Sequence, residues 1–253
     1  MGGANGVWIA ERLSRQDVPH DFVTVDGESR ICLNIIEETS GTSTELLEPG
    51  PVITPEAMEQ LAGKLEGLAA RSRVVCFSGD LPRGVPADYY AQLIRVAKSQ
   101  GAAVFLDTSG EALRQGIRAR PDFIKPNEEE LAQPLRLTGS GAEDPGLKRR
   151  LDALHREGIR SVCVSMGAKG ASLSAGGTRW RMAAPQVEAV NTVGRGDAFV
   201  AGFAVGTFRQ ESPEACLRLA VAAGAANALS DRAGSVDPDK AWESLESVEQ
   251  IRP

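Results

Sequence analysis

The chain contains few of the residues that bind transition metals or form disulfides. Its 253 residues include two histidines, His20 and His155, and four cysteines with no Cys-x-x-Cys pair among them. We therefore expect neither a histidine-based metal centre nor a disulfide framework. Because the cysteines lie mostly within apolar runs, we predict that they are reduced core thiols of a protein from a reducing compartment.

The chain also lacks an excess of positive charge and a long apolar segment. Its net charge is −6, whereas proteins that bind nucleic-acid phosphates usually carry a basic face. The longest apolar run, near residues 198–208, is too short to cross a bilayer. We therefore expect a cytoplasmic protein that binds neither nucleic acid nor a membrane.

Apolar runs of strand length alternate with helical patterns through most of the chain, as in a parallel sheet covered by helices. Strands are predicted at 73–77, 103–106, 122–124 and 161–164, and helices at 55–69, 86–99 and 147–156. The first two of these helices carry a proline that we place in the first turn. A hairpin around Gly176-Gly177 follows, and then two closing helices that begin at Asp197 and Pro213. The pattern predicts an α/β fold.

The segment 191–202, Asn-Thr-Val-Gly-Arg-Gly-Asp-Ala-Phe-Val-Ala-Gly, is the most informative part of the chain. Glycines at 194 and 196 let backbone N–H groups approach a ligand closely. A helix that begins near Gly196 adds the positive end of its dipole, which makes an anion site. Asp197 follows directly, where it can accept a proton from a nucleophile attacking a phosphorus. The alternative interpretation is an ordinary helix N-terminus with an acidic first turn.

Four further motifs accompany this segment. In chain order they are Ser78-Gly79-Asp80-Leu81-Pro82-Arg83-Gly84, Asp107-Thr108-Ser109-Gly110, Lys125-Pro126-Asn127-Glu128-Glu129-Glu130 and Ser165-Met166-Gly167-Ala168-Lys169-Gly170. With these motifs in this order, nearly the whole chain resembles the ribokinase-like sugar kinases, the phosphofructokinase B family. The similarity is greatest to the phosphosugar branch, the 1-phosphofructokinases and tagatose-6-phosphate kinases. It implies a ribokinase-like three-layer α/β/α sandwich, with residues 1–253 as a single kinase domain.

The resemblance implies an enzyme that uses ATP and Mg²⁺, and it assigns the phosphate-binding residues. Asp197 would be the general base, and the backbone N–H groups of Gly194, Arg195 and Gly196 would hold the γ-phosphate. Arg195 departs from the family, which usually has a small residue there. Asn127 and Glu130 match an Asn-x-x-Glu motif that holds magnesium through water. A carboxylate beside an amide suits such a cation, although a solvated acidic first turn is the alternative.

The same resemblance assigns the residues that contact the nucleotide. The nucleotide phosphates are expected to lie on the strand-end turn formed by Ser165, Gly167 and Gly170. The adenine is expected to contact Val187, Ala222 and Ala226. Packing of an alanine-rich helix explains Ala222 and Ala226 equally well.

On the sugar side the resemblance indicates Arg30, Asp80 and Asp107. Arg30 matches a lid arginine that reaches the substrate, with an exposed strand arginine as the alternative. Asp107 begins an Asp-Thr-Ser-Gly typical of the phosphosugar branch. Asp80 stands where that branch has a serine that holds the substrate phosphate. A carboxylate repels a phosphate dianion unless a cation such as Arg83 compensates.

Three functions therefore remain open. The first is phosphoryl transfer from ATP to a hydroxymethyl group of a hexose monophosphate: fructose 1-phosphate, tagatose 6-phosphate or fructose 6-phosphate. The second is a kinase of an unphosphorylated sugar or nucleoside, which Asp80 favours. The third is a catalytically silent, nucleotide-binding homologue, which Arg195 and Asp80 favour.

Residues 20–50 predict a small antiparallel sheet. Strands are expected at 22–25 and 30–36 around an Asp26-Gly27 turn, with 44–47 as a third strand. In the resembled family this sheet is a lid over the sugar, and in several members it pairs with another subunit's lid. The resemblance thus allows a homodimer through the lid. The alternative is an edge hairpin packed on its own domain.

The beginning of the chain departs from the resembled branch. Members of that branch have a strand ending in a sugar-binding aspartate and a Gly-Gly-Lys-Gly segment ahead of the Gly-Gly that is here Gly2-Gly3. We therefore expect the fold to lack its first strand or two. Unpaired backbone groups at the gap would leave the chain marginally stable. A fragment, a start at an internal methionine and a shortened homologue are all compatible with this expectation.

Overall fold

A seven-stranded mixed sheet forms the centre of the protein. The structure is a computed structural model, and it describes residues 1–37, 39, 42–132, 145–187, 189–191 and 193–251. In chain order the elements are α1 (Gly3–Arg15), β1 (Cys32–Ile36), β2 (Ser43–Leu47), α2 (Pro55–Ala69), β3 (Val74–Ser78), α3 (Tyr89–Ser99), β4 (Ala103–Asp107), α4 (Gly110–Ile117), β5 (Phe123–Ile124), α5 (Glu128–Ala132), α6 (Pro145–Arg156), β6 (Ser161–Ser165), a 3-10 turn (Gly167–Lys169), β7 (Ala171–Ala175), β8 (Thr178–Ala183), α7 (Arg195–Phe208), α8 (Pro213–Ala228), α9 (Pro238–Glu246) and β9 (Glu249–Ile251).

The strands of this sheet lie side by side in chain order from β3 to β9. β3, β4, β5 and β6 are parallel. Each of β7, β8 and β9 pairs antiparallel with the strand before it. β3 lies at one edge of the described sheet and is only partly buried, whereas β4 and β6 have buried centres. The parallel half therefore carries the strand ends at which α/β proteins bind ligands.

Helices cover both faces of the sheet because alternate residues of each strand point to opposite faces. Val104 and Leu106 enter a core with residues of α3, α4 and α6. Phe105, between them, enters a second core with residues of α7 and α8. There the ring of Phe123 lies 4.7 Å from that of Phe105 and 4.3 Å from that of Phe203, centroid to centroid. The predicted three-layer sandwich is confirmed.

The predicted elements of the main sheet agree with the structure to within one residue at each strand end. Among the helices, α6 and α7 each begin two residues before the predicted position, and the helix predicted at 86–99 differs most. It begins only at Tyr89, because the Tyr89 N–H closes a turn onto the Pro86 carbonyl ahead of the helix. Helix α9 and strand β9 were not predicted, although α9 begins with a standard signal. The Asp237 side chain accepts from the Asp239 N–H, and Pro238 is the first helical residue.

The predicted three-stranded lid is wrong in one respect. β1 pairs with β2, so the strand expected at 44–47 is confirmed, but residues 22–25 form no strand. Val25 N–H donates instead to the Met1 carbonyl at 3.0 Å, and Ser29 N–H donates to the Gly2 carbonyl at 2.9 Å. The backbone groups needed for a hairpin around Asp26-Gly27 are thus used by the beginning of the chain.

The cysteines are all free, as expected, but only half of them are core residues. Cys163 and Cys216 are buried, whereas Cys32 and Cys76 are exposed. Position explains the difference, since Cys32 lies on the two-stranded sheet of β1 and β2, and Cys76 lies on β3 at one edge of the described main sheet. Among the described residues, no helix combines the length and the apolar character needed to cross a membrane.

Candidate active site

The carboxyl ends of the four parallel strands bring the sequence motifs together. β3 leads into Gly79-Asp80, β4 ends at Asp107, Lys125 follows β5, and β6 ends at Ser165. Cross-strand contacts hold these ends in register. The Gly79 N–H donates to the Asp107 carbonyl at 2.9 Å, and Ser165 N–H donates to the Pro126 carbonyl at 3.3 Å. Four motifs that are far apart in sequence thus form one continuous edge.

The fifth motif forms the first turn of α7. Gly194 caps this helix with a φ of +82°, a conformation that residues with a Cβ rarely adopt. Its neighbours leave no room either, since an added Cβ would lie 2.5 Å from the Gly234 backbone nitrogen. Asn191 is buried, and its side-chain oxygen accepts the Val193 N–H at 2.8 Å. Asp197, in the first turn, is exposed and free to meet a substrate.

A mostly buried ion pair lies between the strand ends and this helix. Lys125 Nζ is 3.1 Å from Asp107 Oδ1, and the two side chains are only 10% and 17% exposed. Burial raises the pKa of Asp107, and the Lys125 ammonium opposes that rise. The charges of Asp197 and Glu130 raise the pKa of Asp107 further. The structure therefore places three predicted site carboxylates and one lysine within electrostatic reach of one another.

A cavity of about 350 Å³ opens beside this cluster. Its polar lining consists of Lys125 and of residues from the predicted phosphate sites: Ser165, Gly167, Gly170, Arg195 and Gly196. Its apolar walls are formed by Val187, Phe199, Val221, Ala225 and Ala228. The cavity lining thus combines glycine backbone, two cationic side chains and apolar side chains.

The prediction that Ala222 and Ala226 line this cavity is not what the structure shows. Both are fully buried, and Ala222 packs in the core between the sheet and α7. The wall contributed by α8 consists of Val221, Gly224, Ala225 and Ala228, which are spaced by three and four residues and so share one helix face. Ala222 and Ala226 lie about 100° further around the helix.

Asn127 and Glu130 form a reciprocal cap at the beginning of α5. The Asn127 side-chain oxygen accepts the Glu130 N–H at 2.7 Å, and a Glu130 carboxylate oxygen accepts the Asn127 N–H at 2.8 Å. This is the hydrogen-bond pattern of a capping box. One oxygen of each side chain is therefore used in the helix end, and the second Glu130 oxygen is left for another ligand.

The other residues predicted to contact the sugar, Asp80 and Arg30, are less closely connected to the Asp107–Lys125 pair. Asp80 is exposed, and its Oδ1 accepts the Ser109 hydroxyl at 3.2 Å. Within the described ranges, no ion pair joins Asp80 to Arg83. Arg30 is exposed beside Gly50, and no hydrogen bond or ion pair of the described residues links its guanidinium to Asp80 or Asp107.

This chain matches the model of the pfkB family carbohydrate kinases over residues 1–240. It belongs to that family. The protein is therefore an enzyme of that class, a carbohydrate kinase.

Proteins of known name are similar to this chain over almost its whole length. A tagatose-6-phosphate kinase of Staphylococcus epidermidis is 35% identical over 255 residues, which cover 99% of this chain and 81% of that protein. Phosphofructokinase-2 from Escherichia coli, solved in complex with potassium, has a TM-score of 0.86 at 27% identity, covering 97% of this chain and 79% of that one. Its tetrameric inhibited form has a TM-score of 0.82 at 26% identity, with the same coverage of both chains.

Lys125 belongs to the candidate site of this pfkB kinase, although the sequence analysis gave it no role. A signal was present, because a lysine directly after the buried strand Phe123–Ile124 is placed where solvent is scarce. Lysine is almost never fully buried unless it is paired. That rule could have indicated a carboxylate partner, but the identity of Asp107 as the partner required the tertiary structure.

Proposed function

We propose that this pfkB kinase transfers the γ-phosphoryl group of ATP to the free hydroxymethyl group of a hexose monophosphate. Tagatose 6-phosphate, fructose 6-phosphate and fructose 1-phosphate are the candidate acceptors. One observation carries the proposal: exposed Asp197 lies beside a glycine-rich anion loop and within reach of the Asp107–Lys125 pair. The names of the similar proteins, a tagatose-6-phosphate kinase and a phosphofructokinase, support a phosphorylated hexose.

In the proposed reaction the sugar hydroxyl oxygen forms a bond to the γ-phosphorus as the bond from that phosphorus to ADP breaks. The hydroxyl proton passes to the Asp197 carboxylate. Catalysis of this kind depends on alignment and charge stabilisation more than on covalent help from the protein. Backbone N–H groups of Gly194, Arg195 and Gly196 supply that stabilisation at the positive end of α7.

The residues that line the cavity suit the chemistry of ATP. They include residues of the anion loop, where the γ-phosphate would lie, and of the turn of Gly167 and Gly170. Gly170 has a φ of +93°, and an added Cβ would lie 1.9 Å from the Met182 carbonyl oxygen. This close backbone approach keeps the turn narrow next to Ser165. The walls of α8 and Val187 provide an apolar space for the adenine.

Asn127 and Glu130 suit a magnesium ion that keeps most of its waters. Their capping hydrogen bonds orient both side chains, and the second carboxylate oxygen of Glu130 can accept a water bound to the ion. Magnesium, when bound, would neutralise phosphate charge. Among the described residues, no group of three or more His, Cys, Asp or Glu side chains is arranged to hold a metal ion by itself.

Substitution of Glu130 by glutamine separates the metal role from the structural one. Glutamine can preserve the capping hydrogen bond but carries no charge. We expect an unchanged Tm and an increased magnesium concentration at half-maximal activity. Asn127→Ala serves as the comparison, since it loses the cap as well, at a cost of about 1 kcal/mol in stability. A Glu130→Gln enzyme with the parent's magnesium titration would contradict the metal role.

A kinase of an unphosphorylated sugar or nucleoside is the second candidate, and Asp80 favours it. Its carboxylate is exposed and accepts one hydrogen bond, from Ser109. Two unit charges 4 Å apart repel by about 4 kcal/mol at an effective dielectric constant of 20. A carboxylate without a compensating cation therefore suits a neutral hydroxyl better than a phosphate.

A panel of acceptors distinguishes these functions. ADP release is measured with tagatose 6-phosphate, fructose 6-phosphate, fructose 1-phosphate, ribose and adenosine, and kcat/KM is compared. The proposal requires the highest value for a hexose phosphate. A higher value for ribose or adenosine would support the second candidate. ATP binding without turnover of any acceptor would support a silent homologue.

We also propose that residues 20–50 act as a lid of the single domain 1–253, and that a second copy of the chain covers this lid. The hairpin of β1 and β2 exposes large apolar side chains on both faces: Ile31, Leu33, Ile35, Ile36, Leu46 and Leu47. A two-stranded hairpin is at best marginally stable alone. Exposed apolar patches of this kind mark interaction sites.

The oligomeric state tests the lid proposal. Light scattering should give twice the chain mass for the parent. Leu33 lies opposite Leu46, and Cys32 opposite Leu47, on the two faces of the hairpin. We expect either Leu33→Asn with Leu46→Asn, or Cys32→Ser with Leu47→Asn, to give a monomer, and the other pair serves as the control. A parent that is monomeric at micromolar concentration would contradict the proposal.

A further inference from the structure

The side chain of Lys125 ends between the residues proposed to contact the sugar and those proposed to contact the ATP phosphates. Its Nζ is paired with Asp107, at the end of β4. The same nitrogen lies 3.7 Å from the position that a Cβ of Gly196 would occupy, against the first turn of α7. Lys125 also lines the cavity beside Arg195 and Ser165. One ammonium group thus lies close both to the end of β4 and to the first turn of α7.

The Lys125 ammonium lies in a cluster of charges of both signs, which includes the carboxylates of Asp107, Asp197 and Glu130. Lys125 is 10% exposed, and removal of a charge from water is costly unless it is paired. Asp107 supplies one partner. On its other side the ammonium faces the N-terminus of α7, which carries a partial positive charge of its own. Lys125 and the helix residues Arg195 and Gly196 line the same cavity, and two positive groups placed in this way stabilise an anion bound there.

We propose that Lys125 is a catalytic residue whose ammonium binds an oxygen of the phosphoryl group as it is transferred, with Asp107 holding the ammonium in place. This inference rests on the proposed kinase function and adds a residue to it. Lys125 keeps its proton and forms no covalent bond. The proton of the sugar hydroxyl still passes to Asp197, and ADP leaves with the electron pair of the broken P–O bond. Lys125 neutralises charge on the oxygens that are not exchanged.

The test compares Lys125→Met with Lys125→Arg and with a matched control. Lys148→Met makes the same chemical change on an exposed face of α6. Loss of a single group that stabilises charge in the transition state typically lowers kcat by ~10²–10³. We expect a decrease of that size for Lys125→Met, with the KM of the sugar changed only a few-fold. Lys125→Arg should recover part of the loss, and Lys148→Met should match the parent.

Nucleotide binding provides a second readout that needs no sugar. Calorimetry with ADP and with a non-hydrolysable imido analogue of ATP measures the preference for the γ-phosphoryl group. Because Lys125 is proposed to touch that group, Lys125→Met should reduce the preference for the ATP analogue while the ADP affinity stays nearly constant. Equal weakening for both nucleotides, or a kcat within about threefold of the parent, would overturn the proposal.

The two readouts separate this inference from the function on which it rests. If no acceptor is turned over by the parent, the proposed function fails, and the nucleotide preference alone decides the role of Lys125. Should Lys125→Met fail to fold, Lys125→Arg and Asp107→Asn supply the comparison. Asp107→Asn keeps the ammonium but loosens its position, so it should lower kcat less than loss of the charge does. A larger loss in Asp107→Asn than in a folded Lys125→Met would contradict the positioning role.

Discussion

Asp197→Asn is expected to lower kcat by ~10²–10⁴, because a positioned general base contributes about that much to a proton transfer. Asparagine keeps the shape of the side chain but cannot accept the hydroxyl proton. The ATP affinity should stay within a few-fold of the parent, since the N–H groups of the anion loop are unchanged. Steady-state kinetics with the best acceptor and calorimetry with the ATP analogue measure the two quantities.

A matched control for this substitution is Asp239→Asn. Asp239 is likewise an exposed aspartate in the first turn of a helix, α9. Removal of its charge has the same small effect on a helix dipole, of a few tenths of a kcal/mol, so its kcat should equal that of the parent. Retention of more than about a tenth of the activity in Asp197→Asn would exclude the base role. Equal losses in both variants would instead indicate a general effect of charge.

Gly194→Ala is expected to lower both kcat and Tm. Alanine at a φ of +82° is strained, and its Cβ would lie 2.5 Å from Gly234 N and 2.8 Å from Gly234 Cα. Both contacts are with backbone, so the loop or the helix must move. A shift of about 1 Å in a reacting group can lower the rate ~10²-fold. We expect a decrease of that size in kcat, together with a decreased Tm.

Gly234→Ala is the control, because Gly234 also has a positive φ, +68°, but an added Cβ there meets nothing within 4 Å. Both variants carry the strain of a left-handed alanine, about 1–3 kcal/mol. Only Gly194→Ala adds the collision that displaces Asp197. The difference in kcat between the two therefore measures the role of the close approach. If the two variants lose activity equally, the position of Asp197 does not depend on this contact.

The amino-acid sequence by itself determined the fold class and most of the main sheet. Short apolar runs such as 103–106 and 161–164 form strands whose two faces are both buried. Such a continuous apolar run can be identified in the sequence without knowledge of the neighbouring strands. The helix Pro55–Ala69 was predicted to the residue, because Thr54 and Pro55 form a local signal. The strand-end motifs were visible for the same reason: each is a short segment whose chemistry is local.

Only the tertiary structure decided which residues face one another. Asp26-Gly27 has the sequence of a hairpin turn. However, the N–H groups of Val25 and Ser29 donate to the carbonyls of Met1 and Gly2, so no strand forms at 22–25. Competition between distant backbone groups leaves no trace in a local pattern. Cys76 lies in an apolar run but on an edge strand, and strand order cannot be read from the run itself.

The same limit applies to the candidate site. In α8 the alanines at 222, 225, 226 and 228 are alike in sequence, and only packing decides that 225 and 228 face the cavity. The partner of Lys125 lies 18 residues earlier in the chain, at Asp107, on a neighbouring strand. Parallel strands bring their carboxyl ends to one edge whatever the length of chain between them. The sequence thus determined which chemical groups are present, and the sheet decided which of them act together.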